Sequence, residues 1–133
     1  MVNSRGRVAG GMAAGRILIG AAALLAPGPT SRLLGFPTSQ DSASARLMGR
    51  LFGVRDVALG VLVLRARRDP HFARFVYRLN ACVDGGDAAS MAVALLGREG
   101  IDRAALASSV PALSAMVGWS LLAANTPISE VNR

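Results

Sequence analysis

The chain is expected to be an all-α integral membrane protein, a four-transmembrane-helix bundle running up-down-up-down with both termini cytoplasmic. Three observations predict this. The 133 residues are 52% hydrophobic and only 17% charged. Mean hydropathy is +0.41, above that of a typical soluble domain. Four apolar stretches, each near the 20 residues or so that a helix needs to cross about 30 Å of hydrocarbon, are separated by short polar or glycine- and proline-rich connections. One domain, residues 1–133, accounts for this length.

The first span is expected over residues 8–26, interrupted only by Arg16 and stopped by Pro27-Gly28-Pro29. Arg5 and Arg7 before an apolar run resemble a signal peptide. Leu24 and Pro27 make a poor cleavage site, so a retained first span is expected. Residues 27–40 mix Ser, Thr, Gly and Pro with Leu33, Leu34 and Phe36, which fits a short interfacial turn of helix. The second span covers residues 45–64, with Asp41 or Ser42 as its N-cap. A basic loop, Arg65-Ala66-Arg67-Arg68-Asp69-Pro70, leads to the third span, residues 72–96. Gly97 and Gly100 punctuate the next connection. The last span covers residues 104–125, in an uncharged stretch that reaches Ser129; Asp102 is placed to cap it and Pro111 to kink it mildly. Gly11 with Gly15, and Gly49 with Gly53, have the GxxxG spacing that lets helices approach closely in lipid.

Arginine supplies every basic residue. Arg5, Arg7, Arg65, Arg67, Arg68, Arg74 and Arg133 fall on one side of a four-span layout, against Arg32, Arg98 and Arg103 on the other. The richer side is expected in the cytoplasm, and the protein in the bacterial cytoplasmic membrane. The formal charge of +7 suits nucleic acid in principle. The arginines are scattered through apolar runs, however, and aromatics are 5% of the chain, so no stacking platform forms and no nucleic-acid partner is expected. A lone Cys82 excludes an internal disulfide. His71 has no second histidine at ligand spacing, so no metal and no cofactor are expected.

The charges inside the spans carry the functional argument. Arg16, Arg50, Arg55, Asp56, Asp84 and Asp87 interrupt apolar runs at similar depths. Folding spans two and three into a hairpin about Asp69 and Pro70 sets Arg55 level with Asp84, about 15 Å from the helix end. Counting from Arg7 puts Arg16 at a comparable depth. Charges in a bilayer usually face the protein interior, pair with one another and mark a site. Asn80, Asp84 and Asp87 follow i, i+4, i+7 spacing and form one polar stripe. Arg50 points well away from Arg55, and Asp87 is its nearest acid in depth. Two carboxylates about a turn apart in low dielectric need arginine partners; one left partly unpaired suits general acid or base work. Trp119, near the middle of span four, is read as packing or as a ligand-stacking wall.

The segment Leu33-Leu34-Gly35-Phe36-Pro37, then Arg46, then Arg50-Leu51-Phe52-Gly53-Val54-Arg55-Asp56 with Gly60, then Asp84 and Asp87, resembles small four-helix membrane proteins common in actinobacteria. These are similar in layout to DoxX-like proteins and are largely grouped as domains of unknown function. The resemblance implies the four-span layout and lends no catalytic role.

Three readings compete. In the first, the charged site binds, and can isomerise, cyclise or dehydrate, a lipid-soluble molecule of isoprenoid, polyketide or quinone type. Asp84, Asp87 and Asp56 would be its acid/base groups, with Arg16, Arg50, Arg55, Asn80 and Trp119 contacting the ligand. In the second, the protein is a non-catalytic accessory or scaffold subunit that docks a partner membrane protein or a second copy of itself. In the third, it is a soluble helical bundle.

Overall fold

Pro27 cannot donate the backbone bond that would carry the first helix onward. The chain therefore stops α1 (Ser4–Leu25) just before it and restarts with Pro27 in the first turn of a short second helix, α2 (Pro27–Leu33). A 3₁₀ turn at Thr38–Gln40 follows, then α3 (Ala43–Ala66), α4 (Pro70–Leu96) and α5 (Asp102–Ala124). This is a computed structural model, and it describes residues 4–127. The described residues are helical with no strand. Each expected span lies on one long helix, with ends shifted by about a turn or less. Ser129 and Arg133 lie outside the described residues.

Local chemistry sets the helix starts. The Ser42 hydroxyl accepts from the Ala45 N–H at 3.1 Å and caps α3. The Asp69 carboxylate accepts from the N–H groups of His71 and Phe72 at 2.9 and 3.2 Å, and Pro70 fills the first position of α4. Asp102 does not cap α5. Ile101 is the N-cap and makes no side-chain bond; Asp102 sits in the first turn, where its charge still faces the positive helix end.

The four long helices alternate in direction. At one end Arg5 donates to the Asn125 carbonyl at 2.6 Å, and the Arg67 guanidinium lies over Gly10. At the other, Gly35 rests on the backbone of Ala104, and Gln40 approaches Gly100. Gly35 has φ +89°, a left-handed conformation that lets residues 27–41 turn across to α5. Two pairs are tightly packed, α1 on α3 and α4 on α5, and they meet each other along less of their length.

The α1–α3 seam is made of small residues two helical turns apart. Gly20 abuts the Gly53 carbonyl and the Val57 N–H, and Gly60 abuts the Ala13 carbonyl and Ile17. Gly11 and Gly15 have nothing within 4 Å of the Cβ direction, so the first GxxxG pair is not a helix contact. Gly49 faces Pro27 rather than α1. A seven-residue repeat keeps small residues on one face over two turns, whereas Gly11 and Gly15 lie outside the buried stripe of Ala9, Ala13, Arg16, Gly20 and Ala23.

Among the described residues three charged side chains are buried, while many large apolar ones are exposed. The core at the Arg5 end is half alanine, with Val63, Val76, Tyr77, Trp119 and Leu122. Large apolar side chains point outward from all four long helices, among them Leu18 and Leu25, Leu51 and Leu64, Phe75 and Leu96, Val110 and Leu121. Helices α1 and α5 are long and apolar enough to cross a membrane. Helices α3 and α4 have the length, at 24 and 27 residues, but carry charge along it.

Candidate functional site

The buried stripes of three helices converge on charge. Arg16 occupies a position of the α1 stripe otherwise filled by alanine and glycine. Asp56 sits among Gly53, Leu59 and Gly60 on α3, and Asp84 follows Val76, Tyr77 and Asn80 on α4. Arg16, Asp56 and Asp84 are 8%, 6% and 4% exposed. Only an inward position paired with opposite charge makes this burial tolerable.

The five side chains form one connected chain of ion pairs. Arg16 Nη2 donates to Asp84 Oδ1 and Nη1 to Asp56 Oδ1, the latter at 3.4 Å. Asp56 Oδ1 also accepts from Arg55, from Nη2 at 3.3 Å and from Nε at 3.4 Å. Arg55 grips Asp87 with two parallel bonds, Nη1 to Oδ1 at 3.0 Å and Nη2 to Oδ2 at 2.7 Å. The Arg55 guanidinium also lies 4.7 Å from the centre of the Phe52 ring. The aspartates of α4 therefore meet guanidinium groups from α1 and α3.

Arg50 stays out of this chain. It is exposed and makes none of the ion pairs among the described residues. Five residues of helix rotate it about 140° from Arg55, so Asp87 takes Arg55 instead. Asn80 is fully buried; its amide donates to the Val76 carbonyl at 2.9 Å, and its Oδ1 has no partner among the described residues. Trp119 stacks on Tyr77, with centroids 5.8 Å apart and rings inclined at 23°. Neither Asn80 nor Trp119 lines the cavity described next; both belong to the packed layer beneath it.

Between the two helix pairs, on the α2 side of the charges, lies a cavity of about 970 Å³. That is ample for a drug-sized or lipid-like molecule. Its floor includes Arg16, Asp56, Asp84 and Asp87. Its walls are apolar and small: Gly15 and Ala23 from α1, Met48 and Phe52 from α3, Met91 and Ala94 from α4, Ala105, Ala112 and Ala115 from α5. Pro27, Leu34, Phe36, Pro37 and Gln40 roof it. Ser108 also lines it, and its hydroxyl, like Asp84 Oδ2, is buried with no partner among the described residues. Nothing in the spacing of Ser108 points to a cavity.

At the cavity rim Asp41 accepts two bonds from Arg46, from Nε at 2.7 Å and from Nη2 at 3.0 Å. The Arg46 hydrogen bond and charge hold the Asp41 carboxyl below its ordinary range. A depressed carboxyl pKa means that the bridge stabilises the folded state above the ordinary value of about 4 and is lost as pH falls through the lower folded value. Protection of the amides of residues 38–42 against hydrogen exchange should therefore drop below about pH 4. Arg46→Gln should show the same loosening at neutral pH. Protection that is flat across this range would show that the bridge does not hold the rim.

The fold and site define an all-helical protein with a buried arginine–aspartate network under an apolar cavity. Residues 13–123 match the domain of unknown function DUF4267, and the chain belongs to that family. Neither the curated proteins nor the solved structures give a significant match.

Proposed function

We propose that this is a four-span integral membrane protein of the bacterial cytoplasmic membrane, a four-helix bundle that takes a lipid-soluble molecule into its interior cavity. One observation carries the reading. Ionic groups are gathered inside, at the base of an apolar cavity, while leucine, valine and phenylalanine face outward from every long helix. In water this arrangement would expose a large apolar surface. In lipid it satisfies both the outer surface and the charges. The inner side of the membrane would carry the Arg5, Arg67 and Arg68 end, with both termini there.

The ligand's apolar body would occupy the space between Phe52, Met91 and Ala112, and its polar handle would reach the floor. Asp84 is the first candidate for proton exchange, because one of its oxygens has no partner among the described residues. Asp87 is clamped by Arg55, and Asp56 Oδ1 is shared between both arginines, so these two hold the array. Isomerisation, cyclisation or dehydration would need only such groups.

Ala112→Trp should narrow the cavity without touching a charge. Lipid extraction and mass spectrometry of the purified protein should recover a bound apolar compound from the native chain and less of it from this variant. Asp84→Asn and Asp87→Asn, in folded protein, should alter its retention or conversion. Equal recovery from all of these would reject the assignment. The accessory-subunit reading instead expects a co-purifying membrane partner and no bound compound.

A further inference from the structure

Two arginines face three aspartates in the buried network, which leaves one formal negative charge in surplus. Arg50, the third arginine expected at this depth, is exposed and does not balance the third aspartate. No other ion pair among the described residues reaches these carboxylates; the remaining one joins Arg46 to Asp41. A buried surplus charge is costly unless a proton neutralises it or a group of opposite sign meets it.

The hydrogen-bonding inventory points the same way. Arg55 already donates from all three of its guanidinium nitrogens, and Arg16 from both terminal ones. Their donors go to carboxylates. The unmet group is an acceptor: Asp84 Oδ2, on a side chain more than nine-tenths buried, with no partner among the described residues. Asp84 lines the cavity, and so does Ser108, whose unpartnered hydroxyl can accept as well as donate. Most of the remaining lining is apolar, with Thr30, Ser31, Arg32 and Gln40 bringing polar groups to the α2 side.

We infer that the cavity selects an apolar molecule ending in a protonated amine, whose ammonium group binds Asp84. This rests on the reading of the cavity as a ligand site and specifies its chemistry. An ammonium group brings three donors and one positive charge, matching the unmet acceptor and the surplus. A carboxylate or sulfonate would add a second uncompensated negative charge. A quinone-type carbonyl offers only acceptors, where the floor lacks a donor.

The test uses the full chain in nanodiscs of zwitterionic lipid at neutral pH. Equilibrium dialysis against protein-free discs measures the uptake of dodecylamine, 1-dodecanol and dodecanesulfonate, which share one chain length. The formal charge of +7 on the protein works against the amine, so surface attraction cannot mimic the result. Dodecylamine should be enriched at least about ten-fold over the alcohol, equivalent to about 1.4 kcal/mol. The sulfonate should show no specific uptake. Asp84→Asn should bring the amine down to the level of the alcohol, and Ala112→Trp should reduce uptake of both. The comparison of the three probes on the native chain stands even where Asp84→Asn does not fold. Equal uptake of amine and alcohol, or preference for the sulfonate, would overturn the inference while leaving a working cavity. No specific uptake of any probe would overturn both the inference and the reading of the cavity as a ligand site.

Discussion

Arg16→Met should destabilise the folded protein by about 3–5 kcal/mol, the usual cost of removing one partner from a buried ion pair. Arg16 is the sole link from α1 to the acids of both α3 and α4, through Asp56 and Asp84. Methionine fills similar volume, so the loss is one of charge more than of packing. Asp84 would then have neither carboxylate oxygen paired, in a position 4% exposed. Asp56 would keep only its longer bonds to Arg55, at 3.3 and 3.4 Å. Arg16→Lys should recover part of the loss, since it restores the charge but not the two-pronged reach to both acids. Arg16→Met with Asp84→Leu should also recover part, because replacing both partners of a buried pair by apolar groups removes the uncompensated charge. Unfolding in mixed micelles, followed by circular dichroism, measures all three. A stability for Arg16→Met within about 1 kcal/mol of the native chain would mean that the network does not hold the helices together.

Depth was legible in the sequence; rotation and separation were not. Counting residues from helix ends put Arg16, Arg55, Asp56, Asp84 and Asp87 in one layer, because the helical rise is constant. The i, i+4, i+7 spacing of Asn80, Asp84 and Asp87 fixed their shared face for the same reason. Arg50 satisfied the depth argument and failed on rotation, since nothing local says which face of α3 meets α4. Of the two glycine pairs only Gly53 meets a neighbouring long helix. Gly11 and Gly15 have the GxxxG spacing, yet the stripe that meets α3 is set by Ala13 and Gly20 against Gly53 and Gly60. The cavity was invisible in the sequence, because it depends on how far apart two tightly packed helix pairs stand. Alanine, glycine and methionine line it, and the same residue types would equally have filled a closed core. Trp119, read as packing or as a ligand-stacking wall, packs on Tyr77 and leaves the cavity to other side chains.

Gly53→Leu should cost about 3 kcal/mol, at or beyond the upper end of the ordinary penalty for overpacking, because the obstacle is backbone rather than side chain. A Cβ at position 53 would meet the Gly20 carbonyl and the Leu24 N–H, neither of which can rotate away. The reciprocal contact confirms how tight this seam is: a Cβ at position 20 would lie 2.7 Å from the Gly53 carbonyl and 2.9 Å from the Val57 N–H. Accommodation requires α1 and α3 to separate. The charged layer would feel this at once, since Gly20 lies one turn beyond Arg16 and Gly53 one turn before Asp56. The Arg16–Asp56 contact, at 3.4 Å, has no slack to follow the helices apart. Gly53→Leu should thus lose stability and bound ligand together, although position 53 carries no polar side chain. Gly53→Ala should show the same pattern more weakly. Gly11→Ala, with nothing within 4 Å, should be neutral or stabilising by about 0.5–1 kcal/mol through helix propensity alone. The same micelle unfolding assay, run beside ligand recovery, separates these outcomes. Equal stability of the Gly53→Leu and Gly11→Ala variants would show that the seam between α1 and α3 is not where the structure places it.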